Sequence, residues 1–305
     1  MASSSERSAG GASAAGYYVY LIPGAIGFIA IVLVPFVMNT AASFTRWNGI
    51  ARPRFIGFEN YIRLFNDGTF WEAIEHALAS VIAMSIIPLL IGLVLAAVLF
   101  DYISSRFGPR ASSILRAAYY LPQILPVAVA GILWGWILNP IGVLDALFDM
   151  IGLHWLALNW IGDPTLALVS LMGVMVWLQV GYALVVFMSG LARVDPALYE
   201  AAEIDGAGWF TRFLNITVPM LKPEIFVVGL TTTIAALKVF APVFVLTGGG
   251  PGTATTVPSY LAYYHFFTTN RVGYGAAISS IQLLVTVALG LLFLRVQTRQ
   301  TEEAQ

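Results

Sequence analysis

One polar segment in an otherwise apolar chain, residues 195–219, has the sequence DPALYEAAEIDGAGWFTRFLNITVP. Asp195 followed by Pro196 predicts a helix start, because Asp is a preferred N-cap and Pro is tolerated in the first helical turn. Gly206 predicts the end of that helix, since glycine readily adopts the left-handed conformation that stops one. A second short helix is expected to follow until Pro219 breaks it. The segment therefore predicts two short helices joined by a glycine turn.

The first of these helices presents Leu198, Ala201, Ala202 and Asp205 along one face. Small alanine side chains let a groove of another protein approach the helix backbone closely. The alternative is an amphipathic helix that rests at the lipid headgroups, but such helices are usually rich in Lys and Arg. This helix carries acidic residues and no basic one, so the pattern favours docking to a protein.

The composition of the whole chain identifies it as a membrane protein. Of its 305 residues, 59% are hydrophobic and 10% are charged, whereas soluble domains carry about 25% charged residues. The formal net charge of −1 lacks the basic excess that nucleic-acid binding needs. The chain has no cysteine, which excludes disulfides, thiolate metal sites and cysteine nucleophiles.

Six apolar stretches are long enough to cross a bilayer, which takes about 20 residues per helix. They predict an all-α, polytopic membrane domain over residues 17–296, preceded by a disordered cytoplasmic tail at 1–16 and followed by a cytoplasmic tail at 297–305. The predicted spans are 17–45, 77–100, 117–140, 164–192, 225–246 and 272–294. An even number of spans places both termini on the same side of the membrane.

The distribution of Lys and Arg predicts the orientation, because cytoplasmic loops are enriched in them. Nine basic residues lie on the side of the termini, namely Arg7, Arg106, Arg110, Arg116, Arg193, Arg212, Lys222, Arg295 and Arg299. Five lie on the opposite side, namely Arg46, Arg52, Arg54, Arg63 and Arg271. The bias places both termini and the segment at 195–223 in the cytoplasm.

Residues within 195–219 carry a family resemblance. Glu-Ala-Ala at 200–202, Gly206 and the Ile-x-Val-Pro run at 216–219 resemble the EAA loop of permease subunits of binding-protein-dependent ABC importers. The Asp-Gly-Ala run at 205–207 is similar to the form in the carbohydrate-uptake branch, which includes the maltose- and glycerol-phosphate-type permeases. The outer-loop run Leu-Thr-Gly-Gly-Gly-Pro-Gly at 246–252 also resembles sugar permeases of this branch.

The resemblance implies a type I importer permease fold with six transmembrane helices in a bacterial or archaeal inner membrane. It implies a second homologous permease, an ABC ATPase dimer, a solute-binding protein and membrane lipid as partners, and a sugar, oligosaccharide or polyol as substrate. ATP and Mg are then used by the ATPase, and this chain binds no cofactor. The coupling residues carried over are Glu200, Ala201, Ala202, Asp205, Gly206 and Pro219.

Several catalytic and metal-binding motifs are absent from the sequence. A Walker A motif needs Gly-Lys followed by Ser or Thr, but both lysines of the chain, Lys222 and Lys238, follow leucine. The three histidines, His76, His154 and His265, are single and widely separated. The sequence therefore predicts neither an enzyme nor a metal site.

A path for sugars should combine aromatic faces with hydrogen-bonding groups. In sugar permeases of the resembled family, the middle of the fourth and fifth spans lines the cavity. The candidates at those positions are Trp177, Gln179 and Tyr182 in the fourth span and Thr232, Ala236 and Lys238 in the fifth.

Lys238 is the one charged residue well inside a predicted span. Charged residues inside a membrane are costly and often functional, so one interpretation places Lys238 on the path. The other interpretation is that its side chain snorkels to the membrane surface. The sequence leaves both open.

Two other function classes, a secondary transporter and a membrane-embedded enzyme, agree less well with the sequence. A secondary transporter should carry ion-coupling carboxylates at mid-membrane, and the six predicted spans contain no acidic residue. A membrane-embedded enzyme would need a convergent cluster of acid, base or metal ligands, which the sequence does not present. The importer permease is therefore the favoured hypothesis, with the secondary transporter as the alternative.

Overall fold

The computed structural model describes residues 19–302, so the predicted tail at 1–16 lies outside the described residues. The all-α class is confirmed. Within the described part, the strands are confined to one short antiparallel hairpin, β1 (Thr45–Arg46) and β2 (Arg54–Phe55).

The helices are numbered in chain order. They are α1 (Ile22–Ser43), α2 (Glu59–Phe65), α3 (Gly68–Ile103), α4 (Arg110–Ile124), α5 (Val127–Ile137), α6 (Val143–Met150), α7 (Pro164–Leu191), α8 (Pro196–Ile204), α9 (Trp209–Met220), α10 (Lys222–Leu237), α11 (Ala241–Leu246), α12 (Pro258–Tyr263) and α13 (Val272–Glu302).

Four helices are individually long and apolar enough to cross a membrane: α1, α3, α7 and the Val272–Arg295 part of α13. Two bent helix pairs, α4 with α5 and α9 with α10, also have the required length and composition. The described residues therefore contain four such helices, or up to six if each bent pair is one span.

The predicted third span, 117–140, is not a continuous helix. Helices α4 and α5 meet at an angle of 95°. The cause is Pro126, because a residue before proline is pushed out of the helical region. Leu125 accordingly has an extended backbone, with φ −66° and ψ 134°.

The predicted fifth span, 225–246, is also interrupted, because α10 ends at Leu237 and α11 begins at Ala241. In a continuous helix the ring of Pro242 would clash with the backbone carbonyl of Lys238. Proline also has no backbone N–H, so this carbonyl would lose its helical hydrogen bond. This predicted span is therefore not one continuous helix, and the break begins at Lys238.

Helix α7 lies at the centre of the packing, between α3 and α4. Gly181 allows the approach of α4, because a Cβ atom at this position would lie 2.2 Å from the carbonyl oxygen of Tyr119. One hydrophobic cluster combines α3 and α7 with Tyr199 and Phe213, so the polar segment between α7 and α10 is packed onto the membrane helices.

Candidate functional site

The coupling loop, residues 195–223, begins with helix α8 and has the predicted caps. The Asp195 side chain accepts a hydrogen bond from the backbone N–H of Ala197 at 3.0 Å. Gly206 has φ +77°, in the left-handed region that glycine tolerates. The N–H of Ala207 donates to the Ala202 carbonyl at 2.9 Å, which completes a Schellman motif. Both predicted ends of α8 are thus confirmed.

Tyr199 fixes α8 to the rest of the protein. Its side chain is buried, its hydroxyl oxygen lies 3.0 Å from Thr217 Oγ1, and its ring contacts that of Phe100. Burial raises the pKa of the Tyr199 hydroxyl above its ordinary value, so this group stays neutral. This anchor was not predicted from the sequence. The only signal was an aromatic residue in a helix otherwise made of small, aliphatic and acidic side chains.

The opposite side of α8 is open. Glu200, Ala201 and Asp205 are exposed, and Ala202 is half-buried. Ile204 is 88% exposed, an unusual position for a large apolar side chain. Leu198 of α8 and Phe210 of α9 are exposed as well. The loop thus presents apolar side chains that this chain does not cover, which is typical of an interaction surface.

Two ion pairs restrain the loop. Arg212 of α9 donates from Nη1 to Glu203 Oε2 of α8 at 3.1 Å. Arg193, just after α7, pairs with Glu224 in the first turn of α10, and the Glu224 side chain is buried. The first pair joins the two loop helices, and the second joins the two membrane helices from which the loop projects.

Pro219 does not end the second loop helix, contrary to the prediction. Helix α9 continues to Met220, and the chain turns at Leu221. A wider π turn at Phe213–Thr217 ends two residues before the proline. This turn opens the helix where the proline ring would otherwise clash with the preceding turn, so Pro219 is accommodated inside the helix.

Both helix breaks line one cavity of about 380 Å³. Leu125 and Val127 come from the bend between α4 and α5, and residues 238–242 come from the break between α10 and α11. Non-helical backbone at membrane depth is tolerated where it is buried in protein or lines a water-filled cavity. The two irregular segments therefore identify this cavity as the candidate transport cavity.

The polar side chains of this cavity are Gln123, Gln179 and Lys238. The structure thus brings together Gln179 and Lys238 from different predicted spans. Lys238 thus lies at the cavity, and its place on the transport path stays a prediction. Gln123 was missed, although a glutamine two residues before the helix break was visible in the sequence.

Trp177 and Tyr182 do not line this cavity. Trp177 lines a second, mostly apolar cavity of about 490 Å³ and makes an edge-to-face contact with Trp134 at 5.5 Å. The Tyr182 hydroxyl lies 3.1 Å from Thr231 Oγ1, which connects α7 to α10. Gln179 and Tyr182 therefore have different surroundings, since one lines the cavity and the other connects two helices.

Thr232 and Ala236 are buried in helix packing. Thr232 Oγ1 donates to Ser85 Oγ of α3 at 2.8 Å, and Thr232 is 1% exposed. Ala236 is 0% exposed. Neither side chain lines this cavity. Their face of α10 packs against α3 instead.

Within residues 19–302, no three His, Cys, Asp or Glu side chains come together as a possible metal site. Each histidine has its own hydrogen-bond partner, which for His265 Nδ1 is Thr269 Oγ1 at 3.1 Å. His76 Nδ1 lies 2.8 Å from the Thr256 carbonyl oxygen, and His154 Nδ1 lies 2.8 Å from Asp149 Oδ1.

Comparison with known proteins places these features in a family. Residues 89–302 match the model of the family described as binding-protein-dependent transport system inner membrane component. The chain belongs to this family. Its members are transporter permeases embedded in membranes, and they are not enzymes.

Individual relatives cover most of the chain. It is 35% identical over 277 residues to "Probable ABC transporter permease protein YurN" of Bacillus subtilis, covering 90% of this chain and 93% of the relative. It is 29% identical over 287 residues to the trehalose/maltose transport system permease protein MalF of Thermococcus litoralis, covering 92% of each.

A solved structure has the same fold. It is a chain of a bacterial ABC transporter involved in the import of the acidic polysaccharide alginate. The TM-score is 0.80 at 22% identity, and the match covers 93% of this chain and 95% of the other. The ABC importer permease fold is therefore confirmed.

Proposed function

We propose that this chain is the permease subunit of an ATP-driven ABC importer that takes up a sugar, oligosaccharide or related polyol across the inner membrane. It forms half of the translocation path, and a second homologous permease forms the other half. Helix α8 docks on a cytoplasmic ATPase dimer, which binds ATP and Mg. A solute-binding protein delivers the substrate from the opposite side.

The coupling loop carries this proposal. A loop that transmits force must be exposed where the motor binds and fixed where it joins the membrane helices. Ile204 supplies the exposed apolar contact, whereas Tyr199 is buried against Thr217. The Arg193 and Glu224 pair fixes the base of the loop to the start of α10.

Helix α10 connects this base to the transport cavity. It has 16 residues, which corresponds to a length of about 24 Å. Its first turn holds Glu224, and its last residue, Leu237, is followed by Lys238 at the cavity. Movement of the coupling loop would therefore displace one wall of the cavity directly.

The chemistry of the cavity supports a hydroxyl-rich substrate. Gln123 and Gln179 each offer amide donors and an acceptor, and Lys238 offers further donors. Phe240 adds an aromatic side chain, which can pack against the apolar face of a sugar ring. The transport of trehalose and maltose named for the relative from Thermococcus litoralis is consistent with this class.

The energy source tests the proposal. The chain would be purified with its partner subunits, reconstituted in vesicles and supplied with a sugar that the solute-binding protein binds. We expect uptake that requires ATP and persists when an uncoupler has collapsed the ion gradients. Uptake that follows an ion gradient without ATP would contradict the proposal.

Docking has a separate test with a matched control. Ile204→Asp places a charge on the exposed coupling helix, whereas Ile141→Asp changes a residue that is 95% exposed in the turn between α5 and α6. We expect the ATPase to be lost from the purified complex only with Ile204→Asp. Equal retention of the ATPase by both variants would contradict docking through α8.

A further inference from the structure

A second polar cavity lies at the other end of the membrane helices. It has a volume of about 430 Å³ and is lined by residues of the β-hairpin that follows α1, of α2, of the turn before α13 and of the start of α13. Helix α3 starts at Gly68, shortly after the cavity-lining residue Arg63. Near the far end of α3, the ring of Phe100 contacts Tyr199 of the coupling loop. A membrane-length helix thus separates the cavity from the coupling loop.

The cavity lies at the level where two membrane-length helices end. Helix α1 ends at Ser43 and α13 begins at Val272, and both Thr45 and Gly273 line the cavity. Residues directly beyond the apolar part of a membrane helix lie in the headgroup region of the bilayer. The cavity therefore opens at the depth of the lipid headgroups.

Arginine side chains dominate the cavity lining. Arg46, Arg52, Arg63 and Arg271 contribute four positive charges, and Glu59 contributes the single carboxylate of the lining, which leaves an excess of three. This carboxylate is paired with Arg46. The cavity thus keeps most of its positive charge.

The arginines of the cavity differ in their partners. The Arg63 guanidinium lies 4.9 Å from the centroid of the Tyr274 ring, which holds it in place by a cation–π contact. Across the described residues, the side chains of Arg52 and Arg271 have neither a hydrogen bond nor an ion pair. These two guanidinium groups are available to bind an anion.

The surroundings of the cavity are apolar. Ile50 at the tip of the hairpin, Phe55 in β2, and Phe58 and Ile62 at α2 are all exposed. Helix α1, which leads away from the cavity into the membrane, has no buried residue in its apolar window. An anion site above an uncovered apolar helix offers contacts to both parts of a phospholipid: phosphate to the arginines and acyl chains to α1.

We propose that this cavity binds the phosphate headgroup of an anionic phospholipid. Guanidinium groups bind phosphate oxygens through charge-assisted hydrogen bonds, and basic residues at a membrane surface attract anionic headgroups. The guanidinium groups of Arg52 and Arg271 contact the phosphate, and the Asn48 and Asn270 amides in the lining add donors.

The test uses the complete transporter complex, purified in detergent and exposed to vesicles of phosphatidylcholine with labelled phosphatidylglycerol. Each arginine near a charged headgroup contributes enough for about a fivefold change in affinity. We expect phosphatidylglycerol binding to fall about fivefold with Arg52→Gln or Arg271→Gln, and about thirtyfold with both. Arg54→Gln is the control, because Arg54 lies on the same hairpin but does not line the cavity.

Three results would overturn the proposal. The first is an equal loss of phosphatidylglycerol binding with Arg54→Gln, because it would reflect the overall charge of the hairpin. The second is unchanged lipid binding together with weaker binding of the solute-binding protein, because the arginines would then contact protein carboxylates. The third is binding of soluble glycerol phosphate as tight as that of the lipid, since the acyl chains would then contribute nothing.

Discussion

The hydroxyl oxygen of Tyr199 lies 3.0 Å from Thr217 Oγ1, and this buried contact joins the two helices of the coupling loop. Tyr199 belongs to α8, whose other side is exposed, and Thr217 belongs to α9, which leads into α10. A docking helix held only by its two ends would bend under load. The buried contact makes α8 and α9 a single unit.

The Tyr199 and Thr217 pair predicts a non-additive effect on stability. Tyr199→Phe and Thr217→Val each leave one buried hydroxyl without its partner, which costs about 1 to 3 kcal/mol. We expect the double variant to be no less stable than either single variant, because both polar groups are then gone. The midpoint of thermal inactivation of the purified complex measures this. Strictly additive losses would mean that the hydroxyl groups do not interact.

Gly181 and Gly173 on helix α7 provide a matched pair for helix packing. A Cβ atom at Gly181 would meet the backbone of α4, whereas one at Gly173 meets nothing within 4 Å. We expect Gly181→Ala to destabilise the protein by about 1 to 3 kcal/mol. Gly173→Ala should be neutral or stabilising by up to about 1 kcal/mol, because alanine favours the helix. Equal thermal inactivation of the two variants would contradict the close approach of α7 and α4.

The absence of cysteine from the chain allows single cysteines to report on the transport cavity. Gln179→Cys and Lys238→Cys should react with a membrane-impermeant thiol reagent in open vesicles, because both positions line the cavity. Thr232→Cys and Ala236→Cys should not react, because both are buried. We further expect bound sugar to protect the reactive pair. Labelling of Ala236→Cys at the rate of Gln179→Cys would contradict the placement of the cavity.

Features that depend on neighbouring residues could be predicted from the sequence. Asp195 and Pro196 start α8, and Gly206 ends it, because these residues act on backbone groups within a few positions. The predicted fourth span, 164–192, likewise agrees with α7 at Pro164–Leu191, where Asp163 supplies the N-cap. Periodicity, length and capping are local properties, so they can be predicted from the sequence directly.

Features that depend on tertiary packing were predicted less well. Thr232 and Lys238 belong to the same apolar stretch of sequence, but Thr232 packs against Ser85, whereas Lys238 lines the cavity. Only the position of α3 distinguishes them. Pro126 and Pro242 were visible as helix breakers, but the position of both helix breaks at one cavity depends on the arrangement of α4, α7 and α10. The Tyr199 anchor depends on a partner 18 residues away.

The most direct test of the central claim compares ATP-driven sugar uptake by Gly206→Val and Gly208→Val in reconstituted complexes. Valine resists the φ of +77° at Gly206, at a cost of about 1 to 3 kcal/mol, whereas Gly208 has φ −65°. A Cβ atom meets nothing within 4 Å at either position, so backbone conformation alone distinguishes the two variants. We predict that Gly206→Val leaves the complex in the membrane and abolishes uptake, while Gly208→Val transports normally. Normal ATP-driven uptake by Gly206→Val would contradict transmission through the coupling loop.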